Sequence, residues 1–123
     1  MTTHNDPQLQ AFLDGKSAVT LELLAHFLDE FGKAGDYSLH AAKTMIGISG
    51  AGPRIAWITQ LGKKFVHVVF PFKQPYEDNL CFQKIAQVPG TDAQFNHHFR
   101  MYAKEDVNEE VMRFIKLALQ EEK

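Results

Sequence analysis

The chain is poor in the residues and patterns from which most catalytic and metal signatures are built. Cys81 is the single cysteine among 123 residues, so no intramolecular disulfide can form and no cysteine-rich zinc site exists. No charge of one sign dominates, since 13 Lys and Arg face 15 Asp and Glu for a formal net charge of −2. Proteins that grip nucleic acid through phosphates usually carry a basic excess, so the overall balance argues against that class of partner. Long hydrophobic runs are missing as well. The longest, Phe65 to Phe72, is broken by His67 and Pro71 and falls far short of the roughly 20 apolar residues of a spanning helix. The opening M-T-T-H-N-D-P has neither a basic nor an apolar region, which leads to the expectation of a soluble, cytoplasmic, reduced protein with no membrane partner.

Chemical motifs are equally scarce. There is no G-x-S-x-G elbow, no H-E-x-x-H and no paired Cys/His spacing. Ser49-Gly50-Ala51-Gly52 contains G-x-G, but Pro53 and a strand pattern follow. A phosphate loop has to enter a helix N-terminus, so this segment is a hairpin turn and not a dinucleotide site. No cofactor is implied, no acid, base or nucleophile constellation stands out, and the balance leans away from an enzyme.

What the chain does have is a hydrophobic content of 45%, enough for one core in one domain over residues 1–123, ordered over about 7–120. Asp6-Pro7 reads as a helix start before Gln8 to Leu13. Leu21, Leu24, Phe27, Leu28 and Phe31 recur at spacings of three and four, predicting a helix from about Ser17 to Phe31. Strands are expected at Lys43 to Ile48, Ile55 to Thr59 and Phe65 to Phe72, separated by Gly-Ala-Gly-Pro and Gly-Lys-Lys turns. Leu80 to Val88 fits either a strand or a helix and is assigned to a strand. Phe95 to Tyr102 reads as the last strand. Asp106 with Glu109 gives a capping-box pattern before the stripe Val107, Val111, Phe114, Ile115 and Ala118. The fold class is therefore α+β: an N-terminal helix, an antiparallel meander and a C-terminal helix, with both helices on one sheet face as a two-layer sandwich.

That architecture leaves a surplus of apolar residues. Val66, Val68, Phe70 and Phe72 point one way, and Phe65, His67 and Val69 the other. An uncovered face is normally polar, yet this one has Phe65 and Val69, with Trp57 and Ile55 set beside them on the neighbouring strand. The orientation of Phe95, His97, Phe99 and Met101 stays open. Such a face is explained by coverage from a loop such as Gln74 to Leu80, by a homodimer or protein-partner interface, or by a small-ligand pocket around Trp57 and His67. His97 and His98 project to opposite faces, and His67 could meet His97 if their strands are neighbours. No complete metal set is expected. Lys63, Lys64, Arg54, Lys43, Lys73, Lys84 and Arg100 among aromatics fit single-stranded nucleic acid only against the charge balance.

The order of Lys43-Thr44-Met45-Ile46-Gly47-Ile48, the Lys63-Lys64 turn, His98-Phe99-Arg100-Met101 and Glu105-Asp106-Val107-Asn108-Glu109-Glu110-Val111 resembles small bacterial domains of unknown function related to the YdhG-like family. The resemblance covers roughly residues 9 to 120. It implies a frataxin-like layout and, as one option, an iron-carrier role for which Glu22, Asp29 and Glu30 would be the acidic edge. It also singles out Lys43 at the start of the first strand. The leading expectation is a non-enzymatic binding or interaction module, homodimeric or bound to another protein. The alternative is a frataxin-like carrier of a small ligand or metal. The candidate residues are Trp57, Phe65, His67, Val69, His97 and Lys43.

Overall fold

In the computed structural model, which describes residues 7–91 and 93–121, the chain folds as α1 (Pro7–Leu13), α2 (Ala18–Ala34), β1 (Ser38–Ala41), β2 (Ile46–Ser49), β3 (Arg54–Leu61), β4 (Val66–Phe72), β5 (Phe82–Gln87), β6 (Phe95–Met101) and α3 (Glu109–Glu121). The strands form one antiparallel sheet in the order β1-β2-β3-β4-β6-β5. The expected α+β class is the one observed. The proposed Asp6 cap lies outside the described residues.

Local chemistry explains the element ends. Ser17 caps α2: its Oγ accepts from the Thr20 amide at 3.1 Å and donates to the Lys63 carbonyl at 2.5 Å. Thr20, fully buried, donates its hydroxyl to the Gly62 carbonyl. The first turn of α2 is thereby pinned to the β3–β4 hairpin. The start of α3 differs from expectation. Asn108 Oδ1 accepts from the Val111 amide at 3.0 Å, so Asn108 provides the cap. Asp106 instead closes a short 3-10 turn at Lys104–Asp106, accepting from the Tyr102 and Ala103 amides. Both carboxylate and carboxamide oxygens make good caps, and the intervening turn decides which one is used.

All three helices lie on the same face of the sheet. One continuous core joins Leu9 of α1, Leu24, Phe27, Leu28 and Phe31 of α2, and Val111, Ile115 and Ala118 of α3 to Ile46, Ile48, Ile58, Val66, Val68, Phe70 and Phe72 of the sheet. The register resolves the orientation of β6. Val66 faces Met101, Val68 faces Phe99, Phe70 faces His97 and Phe72 faces Phe95, so that row belongs to the helix side. Ile55 joins the core too, although it was expected beside Trp57 on the other face. The β2–β3 ladder slips between Ile48 and Ser49, opposite Arg54 to Ala56, and the slip turns Ile55 inward.

Two further strands flank the predicted meander. β1 is a four-residue edge strand in a segment where the sequence pattern predicts no element. β5, the other edge, confirms the strand assignment for this segment and carries a register shift between Phe82 and Lys84. The segment 73–81 does not cross to the far face. Tyr76 packs its ring against Phe72, His97 and Phe114 on the helix side.

Candidate functional site: the open sheet face

With every helix on one side, the second face of the sheet is uncovered by any helix. The ladders define what it carries. One row of register partners crosses all six strands: His40, Gly47, Trp57, Val69, His98 and Lys84. At a strand spacing of about 4.8 Å this row is about 24 Å long. A second, shorter row places Gln60, His67 and Arg100 side by side. Val69 is only 6% exposed yet stands outside the main core, because it is hemmed in by its own row and not by a helix.

His67, His98 and Arg100 form a directed hydrogen-bond relay. Arg100 Nε–H donates to His67 Nδ1 at 3.1 Å, and His67 Nε2 lies 2.9 Å from His98 Nδ1. Arginine has only donors, so His67 Nδ1 has to accept. A neutral His67 then holds its proton on Nε2 and donates it to His98 Nδ1, which leaves the His98 Nε2–H as the donor not used within the relay. Burial and nearby cations both favour the neutral rings. Burial lowers the His67 pKa first, then the Arg100 cation and His98. For His98 burial again leads, followed by Lys84 and His97.

The aromatic rings of this face are each matched with a guanidinium. Arg100 lies 4.3 Å from the Phe65 ring centroid, and Arg54 lies 5.6 Å from that of Trp57. Two glycines make room for these stacks. A Cβ on Gly62 would sit 2.1 Å from the Phe65 ring, and one on Gly47 would sit 2.8 Å from Arg54 Cδ and 3.1 Å from the indole. Gly47 and the Arg54 and Arg100 stacks cannot be assigned this role from sequence, because their contacts cross strands whose register is not written locally, whereas the Gly62–Phe65 contact is made within the β3–β4 turn itself.

The electrostatics are one-sided. None of the six strands contains Asp or Glu, whereas Arg54, Lys84 and Arg100 all lie on them. The balanced net charge of the chain therefore hides a segregation, with the carboxylates held on helices and loops.

The structure brings Trp57, Phe65, His67 and Val69 together on this face and leaves the other two candidates elsewhere. His97 is fully buried on the helix side: its Nδ1–H donates to the Phe95 carbonyl at 2.8 Å and its Nε2 accepts from the Tyr76 amide at 3.0 Å. Rings of Phe72, Tyr76 and Phe82 enclose it. It cannot meet His67 across the sheet as anticipated; the partner is His98, one residue on. Lys43 is exposed in the β1–β2 turn, beside a cleft lined by Gln8, Phe12 and Ala41. A separate cleft of about 140 Å³ between Arg54, Ile55, Phe72 and Ala118 does not include Trp57 or the histidine relay.

Among the described residues no three His, Cys, Asp or Glu side chains converge as a metal set. Of the acidic edge, Glu30 is bound to Lys33 at 2.5 Å. Cys81 is not poised as a nucleophile either. Burial pushes its thiol up to about 12, and the Glu110 carboxylate adds to the effect. Native protein at pH 8 is accordingly expected to resist iodoacetamide, while protein unfolded in urea reacts promptly. Intact-mass measurement distinguishes the two, and equal labelling rates would contradict a thiol held in its protonated form by partial burial. No helix among the described residues is long and apolar enough to cross a membrane. Comparison with protein-family models, curated proteins and solved structures gives no significant match.

Proposed function

We propose that the protein is a non-enzymatic binding module whose working surface is the open sheet face. One observation carries this reading: three helices cover one face, while the other carries Trp57, Phe65 and Val69 with no helix or strand above them among the described residues. An antiparallel sheet that only meets solvent is usually polar on that side. Half-buried rings stacked with arginines on an uncovered sheet face are better suited to contact than to solvation. The histidine relay supports binding over chemistry, because its members spend their lone pairs on one another and no activated nucleophile adjoins them.

The reading requires that the face contribute to binding and little to folding. Native mass spectrometry of the purified protein, beside its denatured mass, tests the first part. A bound mass or a second copy that disappears with Trp57→Ala is the expected result. The second part is tested by thermal unfolding of the same variant, which should keep a cooperative transition near that of the parent. A bare monomer in both proteins, or a Trp57→Ala variant that no longer folds, would overturn it.

A further inference from the structure

Resting on that reading, we infer that the occupant of the open face is single-stranded nucleic acid, held by Arg54, Lys84 and Arg100 through phosphates and by the rings of Trp57 and Phe65 through bases.

Charge complementarity is the first argument. A surface about 24 Å across carries three permanent cations, three histidines and no carboxylate on any of its strands. Polyanions are the ligands such a surface attracts, and a second copy of this chain is not. A two-fold dimer through this face would set one acid-free, cationic surface against another.

Ring placement is the second. Trp57 is level with Val69, and Phe65 lies four residues before Val69, just ahead of the adjacent strand β4. Strand rise and spacing put the two rings roughly 14 Å apart. That separation suits a strand whose backbone runs between two stacking platforms. Each platform has a guanidinium beside it, so a base meets π surface while a phosphate meets charge. Trp and Arg anchor protein partners as well, so what favours a polyanion over a protein is the charge of the face, whose strands carry cations and no Asp or Glu. A duplex would present phosphates to a flat sheet and keep its bases out of reach of the rings.

The donors are already oriented. The relay from Arg100 through His67 leaves His98 Nε2–H as a donor not used within the relay, one strand from Lys84, where a phosphate or a base edge can accept it.

Trp57 is the only tryptophan, so its fluorescence reports on the face directly. Titration with an oligothymidylate of about twelve nucleotides should give saturable quenching. The same oligomer as a blunt duplex should bind at least about tenfold more weakly. With three phosphate-paired cations, the slope of log K against log salt should be roughly −2 for a single strand. Arg100→Gln and Arg54→Gln should each weaken binding about three- to tenfold and flatten that slope by about 0.7, with circular dichroism unchanged. Lys116→Gln, on the helix layer, should bind like the parent. Equal binding of polyglutamate or of the duplex would overturn the inference, as would quenching that Arg54→Gln and Arg100→Gln leave intact. So would a mass that doubles with protein concentration and blocks the oligomer. If the oligomer fails while native masses still show a Trp57-dependent adduct, the face is a binding surface for another ligand and this inference alone falls. If both fail, the reading of the face falls with it.

Discussion

Val68→Asp is expected to abolish folding at neutral pH, while Val69→Thr, one residue along, is expected to lose about 1 kcal/mol or less. The two valines are adjacent on β4 and both are screened from water, at 0% and 6% exposure. Their surroundings differ. Val68 faces Phe99 and Ile58 beneath the helices, where a carboxylate would lose its hydration with no cation to replace it. The effective penalty for an unpaired buried charge is several kcal/mol, comparable with the roughly 5–15 kcal/mol that holds an ordinary domain together. Val69 lies between Trp57 and His98 on the open side. There a hydroxyl replaces a methyl beside an indole and an imidazole, outside the helix-covered core, and the β-branched shape is kept. Urea denaturation followed by far-UV circular dichroism measures both. Equal destabilisation of the two variants would mean that the open face is as structural as the core.

Acidification is expected to move stability and polyanion affinity in opposite directions. His67 and His98 both have pKa values lowered below 6.5, by burial first and then by Arg100 and Lys84 respectively. The unfolded chain therefore binds more protons than the folded one below about pH 6.5. The stabilisation from keeping these rings neutral is complete above the unfolded value. It is lost progressively as pH falls toward the lowered folded values. Protonation also dismantles the relay, since an imidazolium at His67 would turn an N–H toward the Arg100 donor. A bound polyanion reverses the sign locally. Each proton then adds a cation beside Arg100 and Lys84 at the phosphate-facing surface, so affinity should rise as pH falls from 7 to 5.5. Denaturant midpoints of the free protein should fall over the same interval. His67→Gln with His98→Gln should flatten both profiles. Parallel trends, or an unchanged affinity profile in the double variant, would remove these histidines from the binding surface.

Much of the layout was legible because it depends on local patterns. The Gly-Ala-Gly-Pro and Gly-Lys-Lys turns bracket β3 and set the start of β4 where the structure has them, and the stripe from Val107 to Ala118 is buried as its periodicity implies. β1 was not legible: Ser38–Ala41 is four residues long and half-buried except for Leu39, so no alternation emerges from it. The site was readable as composition but not as geometry. Parity along β6 places either His97 or His98 beside β4's outer face, and the choice rests on which residue pairs with Val69. That is a property of two strands separated by residues 73–94, not of either sequence alone. The acid-free character of the sheet was concealed for a different reason. Whole-chain charge sums over helices and loops, and the cations of the strands disappear into that total.

The sheet's two outer strands restrict how this molecule can associate. An edge strand exposes backbone amides and carbonyls to which another chain could add. Here β1 offers only four residues, and β5 is interrupted by its register shift with Lys84 beside the break. A foreign strand could not form a long, regular ladder on either side without desolvating a lysine or bridging an irregular backbone. Lateral extension of the sheet, and the fibrous aggregation that follows from it, is thus discouraged at both borders, even though the strands between them are rich in valine, isoleucine and phenylalanine.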